Sequence, residues 1–296
     1  MMMNKIKVVS DGSCDLSREE IKKLDVEIVP FYVSFEEGVY QKEGVELDVR
    51  DFYQKMVDHP NVYPKTSLPT IDDYVKAFEK YLNVGMDIIC ICITTKFSGS
   101  YNSANSAKQL CLEKYPNAKI EVIDAMVNTC LQGLLVKEVC RMRDNGLTLE
   151  EMTKEANYIK TTARIFFTVG SLDYLRHGGR IGKLLGIVGA TLRIKPIIVL
   201  KEGEIFSCGL SLSRKKSIIK LLELTKKHFT ENGENIDNYR FIVGAGYDLE
   251  ELQNFLNKAS ITLNRDDIEI GQIGATIGVH TGPHPIGIGF IKKYDC

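Results

Sequence analysis

Along the first half of the chain one grammar repeats: an apolar run, a loop of small residues, then a helix. The run "IKVVS" leads through "DGSCD" to a helix opening at Ser17, with Glu20 three residues on to complete a capping box. "DIICICITT" leads through "KFSGS" to a helix predicted from Tyr101 to Glu113. "KIEVID" leads through "AMVN" to a long helix ending near Asn145-Gly146. A further helix, from Thr70 to Leu82, places Tyr74, Ala77, Phe78, Tyr81 and Leu82 on one face, and Thr70 with Asp73 caps its start. Alternating strands and helices predict a largely parallel sheet covered on both faces. Loops leaving the carboxyl ends of such strands share one edge, where ligands bind. Asp11, Ser13, Ser98, Ser100 and Asp124 are expected on that edge.

Near Arg164 the grammar changes. "ARIFFTVGSLDYL" reads as a strand and a short helix, and "GGRIGKLLGIVGATLRI" as an apolar helix interrupted by glycines. "KPIIVLKEGEIFSCG" reads as a hairpin turning at Glu202-Gly203. A helix with basic and apolar faces follows from Ser213 to Phe229, then "RFIVGAG", a helix at Asp248 to Ala259, and glycine-rich strands that include the run before His280. The fold class expected is two-domain α/β. Residues 1–162 form an N-terminal domain with a mainly parallel sheet flanked by helices. Residues 163–296 form a C-terminal α/β domain with a mixed or antiparallel sheet. The helix at about Leu149 to Lys160 serves as the linker.

Composition narrows the function. The 296 residues carry a formal net charge of -1 and no Trp, which provides neither a basic field nor a stacking platform for nucleic acid. No run of about 18 uncharged apolar residues predicts a membrane span, and the N-terminus lacks the apolar stretch of a signal peptide. Eight cysteines in a chain this long do not make a disulfide scaffold. Cys90 and Cys92 would face the same side of a buried strand, as reduced core residues in a cytoplasmic protein. His280 and His284 have a spacing that suits a metal only on a helix, and Pro283 and Pro285 exclude a helix across both.

Four hydroxyl-bearing stretches stand out: "KTSLPT" with Thr66 and Ser67, "FSGSYNSA" with Ser98, Gly99 and Ser100, "SDGSCD" with Ser13, and "VHTG" with His280 and Thr281. Ser at a helix start is usually only a cap. Together the four describe a pocket of neutral donors plus one imidazole. Polyphosphate and dinucleotide loops, GxxxxGK[ST] and GxGxxG, are absent. A carboxylate needs only a few hydroxyl and N–H donors. Leu184 to Leu192 could line a tunnel for a lipid tail, or simply form a buried helix. A Ser/His hydrolase in the same pocket is the alternative, although GxSxG is absent and no Asp is assigned to orient His280.

The chain resembles the DegV family of fatty-acid-binding proteins, the FakB-type carrier subunits of bacterial fatty acid kinase. The resemblance runs nearly end to end on "VVSDGSCDL", "KTSLPT", "FSGSYNSA", "LDYLRHGGRIGK", "LRIKPIIVLKEGEI" and "GVHTGPHPIGIGF". It implies one fatty acid held between two α/β domains, no further cofactor, and a separate ATP-binding kinase that phosphorylates the carboxylate. The chain itself would then be a carrier, not an enzyme. Passing contact with a membrane surface is compatible with that role. The carboxylate ligands implied are Thr66, Ser67, Ser98, Gly99 and His280, with Thr281 nearby. Arg176, Arg180, Lys183, Arg193 and Lys195 either frame the mouth, dock the partner, or are ordinary surface charge. Two positions depart from the family pattern: the usual Asp-Ser pairs read Asp11-Gly12 and Asp124-Ala125 here, which weakens Ser13 and Asp124 as ligand contacts.

Overall fold

The computed structural model describes residues 5–187 and 194–296. Its first sheet is parallel, in the order β2 (Val26–Val29), β1 (Ile6–Asp11), β6 (Asp87–Cys92), β7 (Ile120–Asp124). A small antiparallel sheet of β3 (Tyr32–Glu36), β4 (Val39–Lys42) and β5 (Lys65–Ser67) leans beside it. The third sheet is mixed, in the order β10 (Glu204–Ser211), β9 (Lys195–Lys201), β8 (Arg164–Thr168), β13 (Ile286–Lys292), β11 (Tyr239–Ala245), β12 (Glu269–Gln272); only β11 and β12 run parallel. The helices are α1 (Arg18–Leu24), α2 (Val49–Asp58), α3 (Ile71–Leu82), α4 (Ser100–Lys114), α5 (Thr129–Asp144), α6 (Leu149–Ile159), α7 (Asp173–His177), α8 (Arg214–Asn232), α9 (Leu249–Leu263) and α10 (Ala275–Thr281).

Strand β6 shows why the parallel sheet is covered twice. Ile89 and Ile91 join the core that α5 and α6 build on one face, while Ile88, Cys90 and Cys92 face α3 and α4. The two thiols sit 3.8 Å apart, buried and reduced. The capping boxes expected at Ser17/Glu20 and Thr70/Asp73 are both formed. The hairpin turn lies at Glu202 and Gly203, both at positive φ.

Helix α5 is the hinge pin of the architecture. It touches β1 of the first sheet and β11 and β13 of the third, and its residues are buried on nearly every side. The apolar core therefore crosses the boundary at residue 162 without a break, from Val8 and Ile91 through Leu134 and Leu135 to Ile165 and Ile242. Strand β13 is built for this contact. Ile286, Ile288 and Phe290 pack under α8, whereas Gly287 and Gly289 turn a bare face toward α5. On β11 and β12, Gly244 pairs with Gly271, and the Cys130 thiol of α5 drops into the notch between them.

Two expectations are corrected. The run before His280 is not a strand but the helix α10, whose first N–H groups are capped from far away by Glu43. The segment from Gly182 to Ile187 is a 3-10 helix rather than α-helix, and 188–193, with the rest of the expected tunnel wall, lies outside the described residues. Helix α2 and the three-stranded sheet were not anticipated.

The notch yields a prediction. A Cβ on Gly271 would lie 2.6 Å from Cys130 Sγ, so Gly271→Ala should destabilise the protein by about 1–3 kcal/mol through overpacking. Adding Cys130→Ala should restore most of that loss in urea titrations. Purely additive losses would show that the notch does not seat α5.

Candidate functional site

One cavity of about 240 Å³ opens between the sheets. Its floor is a face of the third sheet. Ile205, Leu200, Ile165, Gly289 and Ile242 are successive register partners across five strands, and Phe167, Gly287 and Gly244 form a second row. Four strand spacings of about 4.8 Å make the first row about 19 Å long. The roof includes Cys130 and Leu131 of α5 and Ile277 of α10. Apart from the glycines, these walls are apolar side chains.

At the mouth the lining turns polar with Thr66, Ser67, Ser98, Asn128, Arg180, His280 and Thr281. Several separate elements place them. Thr66 and Ser67 end β5, which pairs with β3. Ser98 precedes α4; its Oγ accepts the Ser100 N–H at 3.2 Å, which leaves its own hydrogen free. His280 stands in the last turn of α10, with Nε2 3.1 Å from Thr66 Oγ1. Its ring rests directly on Gly178, where any Cβ would overlap Nδ1, and this explains the first glycine of "RHGGR". Thr281 donates its hydroxyl to Ile277 O at 3.0 Å, so it has only lone pairs to offer. Gly99 is the N-cap of α4, packed beside Leu68 and not in the wall.

The electrostatics of the mouth are unbalanced. Arg180 is fixed by Phe97 O, at 3.1 Å from Nε and 2.9 Å from Nη2, and by Gly178 O at 2.6 Å from Nη1. Among the described residues no carboxylate meets it, and burial lowers its pKa. His280 is half-buried, its ring turned into the cavity wall. Burial, then the Arg180 charge, brings its pKa down to about 3, so the imidazole is neutral at pH 7. Its Nδ1 is buried without a partner. An arriving anion would supply the charge that this corner lacks. The same facts weigh against a hydrolase: His280 Nε2 faces Thr66 instead of Ser98, and no acid orients Nδ1.

Other candidates separate from the site. Asp11 and Ser13 are buried and bonded to each other at 2.6 Å. Asp124 holds Thr95 Oγ1 at 2.7 Å and the Met126 N–H at 2.8 Å. Arg176 pairs with Asp173, Lys183 with Glu204, and Lys195 Nζ donates to Gly170 O; Arg193 lies outside the described residues. The sequence reading missed Asn128, which lines the cavity from the loop before α5. Its only signal was its place after β7, on the ligand-binding edge. Among the described residues no group of three His, Cys, Asp or Glu side chains could hold a metal.

The His280 environment sets a test. Its ring resonances in ligand-free protein should not titrate between pH 8 and pH 5, since both lie above its pKa of about 3. Arg180→Gln should raise that pKa, because it removes a nearby cation. Titration near the ordinary histidine value in the unsubstituted protein would contradict this account.

Comparisons with known proteins agree with this architecture. A stearic-acid-binding protein from Eubacterium ventriosum is 46% identical, with a TM-score of 0.94 over 99% of each chain. A fatty-acid-binding DegV family protein from Thermus thermophilus is 25% identical, with a TM-score of 0.86 over 97% of this chain and 99% of that one. A DegV domain-containing protein from Clostridium perfringens is 30% identical over 288 residues, covering 97% of this chain and 99% of its own. The family model described as "Uncharacterised protein, DegV family" matches residues 5–293, and the chain belongs to the DegV family.

Proposed function

We propose that this protein binds one long-chain fatty acid, with the acyl tail in the cavity and the carboxylate at the polar mouth. The observation that carries this reading is the meeting of Thr66, Ser98, neutral His280 and uncompensated Arg180 at one end of an apolar floor. The stearic-acid-binding relative, with its 46% identity, supports it. Burying about fourteen methylenes gains roughly 11 kcal/mol before ordering costs. A carboxylate between Arg180 and His280 favours the imidazolium, so binding should draw a proton onto His280.

The finer reading is a carrier. The chain holds the tail dry and presents the carboxylate to a separate ATP-dependent kinase, which converts it to an acyl phosphate. The donor set suits a monoanion, and the sequence carries no phosphate loop of the GxxxxGK[ST] type. The cytoplasm is the compartment this reading assigns, in keeping with the free cysteines. Among the described residues no helix is long and apolar enough to cross a membrane.

Three measurements test the reading. Organic extraction and mass spectrometry of purified protein should recover a fatty acid, or the emptied protein should take up added stearate; failure of both would remove the proposal. Ser98→Ala and His280→Ala should each weaken stearate binding by about 1.5–3 kcal/mol, the usual loss of a hydrogen bond to a charged group. Unchanged calorimetric affinity in both variants would mean the head group lies elsewhere. Labelled ATP, Mg²⁺ and stearate should give no acyl phosphate until a second protein is supplied. Product formed by the pure chain would refute the carrier role.

A further inference from the structure

Behind the cavity lies a pair of carboxyl groups that the binding site does not use. Glu43, just after β4, caps α10. Its Oε1 accepts the Ala275 N–H, and its Oε2 accepts the Thr276 N–H at 3.1 Å and the Thr276 hydroxyl. Asp15, in the loop before α1, accepts the Thr129 hydroxyl on Oδ2 at 2.5 Å, while its Oδ1 is buried without a partner. Asp15 Oδ1 and Glu43 Oε1 both lie within 2.5 Å of the point a Gly274 Cβ would occupy. The two oxygens are therefore no more than about 5 Å apart. A Cβ at 274, the N-cap of the helix that carries His280, would push both carboxyl groups aside.

The surroundings do not neutralise two charges. Asp11 adds a third carboxyl from the end of β1. From α2 comes the Tyr53 phenol, with Arg50 acting on that phenol rather than on the pair; from α5 come the Thr129 hydroxyl and the Cys130 thiol. Arg18 is turned to Gly44 O. Among the described residues no cation is paired with either carboxyl. Glu43 receives well-placed donors on both oxygens, the pattern of an ionised group, whereas only the Gly274 N–H lies against Asp15 Oδ1, outside good hydrogen-bond geometry.

We propose that Asp15 retains a proton beside the ionised Glu43, and that this proton holds α10, and with it His280, in the binding position. The proposal rests on His280 being a head-group residue. Burial, then the neighbouring Glu43, raises the Asp15 pKa well above its ordinary value, which agrees with a retained proton. When the proton is lost, two buried anions face each other across Gly274. The first turn of α10 is then pushed away, and the Thr66–His280 contact goes with it. Asp15 and Glu43 are positioning residues in this scheme.

The sign follows from linkage. A raised carboxyl pKa means the proton is kept at low pH and lost as pH rises through the folded value, so affinity falls on the alkaline side. The limiting slope is about tenfold per pH unit for one proton. His280 titration adds its own slope, so the informative quantity is the ratio of affinities between the unsubstituted protein and Asp15→Asn. Asparagine tolerates the left-handed backbone of residue 15, at φ 51, and its amide mimics the protonated acid. Stearate affinity should be measured across the pH range in both proteins. The ratio should be constant in acid and fall steadily in alkali. Infrared spectra at neutral pH should show a protonated-carboxyl C=O band that Asp15→Asn abolishes. A ratio flat at all pH values, or no such band, overturns the proposal. If the unsubstituted protein binds no fatty acid at any pH, the binding function itself fails, and the infrared band still decides whether the proton is there.

Discussion

The buried carboxylate of Asp11 is the joint on which the site is assembled. It stands at the carboxyl end of β1 and is fully enclosed. Burial pushes its pKa up, and hydrogen bonds from Ser13, Gln132, Ile93 and Ser100 oppose that shift. Those four partners belong to four pieces of chain: the loop after β1, helix α5, the end of β6 and the start of α4. A buried carboxylate is tolerable only when its lone pairs are satisfied, so each piece must come to it. Ser100, fixed by Asp11 and by Tyr74 at 2.6 Å, sets the backbone that orients Ser98. Gln132 draws the first turns of α5 against the same edge, with Leu131 beside it over the cavity floor.

Much of this was written locally. The helix caps at Ser17 and Thr70, the doubly covered strand β6 and the hairpin at Glu202-Gly203 are short-range signals, and the folded chain keeps them. Helix α10 was hidden because its own residues argue poorly for a helix. "ATIGVH" is β-branched and glycine-containing, and its cap arrives from Glu43, more than two hundred residues earlier. Asp11 and Ser13 looked like edge residues open to a ligand. Position along the strand was read correctly, but the inward rotation of both side chains depends on Gln132, which no local pattern links to them.

Thr66, Ser98 and His280 were legible as types and were grouped in one pocket from the sequence, but the elements that bring them together were not legible. Thr66, Ser98 and His280 come from three elements that meet only because β5 pairs with β3 and α10 packs against both. The special standing of Arg180 was invisible among five basic candidates. What separates it is place as well as pairing: Arg176 and Lys183 find carboxylates, Lys195 is not in the cavity wall, and Arg180 lines the cavity with only carbonyl oxygens for partners.

Strand order in the mixed sheet has a consequence for how the chain reaches its native state. Strand β13 lies between β8 and β11, although it follows β8 by more than a hundred residues. Until it inserts, β8 and β11 each have an open inner edge, and the glycine floor of the cavity does not exist. Loop closure over such a distance is slow, and unpaired edges are prone to wrong partners. Because β13 is the last strand in the sequence, Ile165, Phe167 and Ile242 lack their neighbours on that edge until synthesis has passed residue 292.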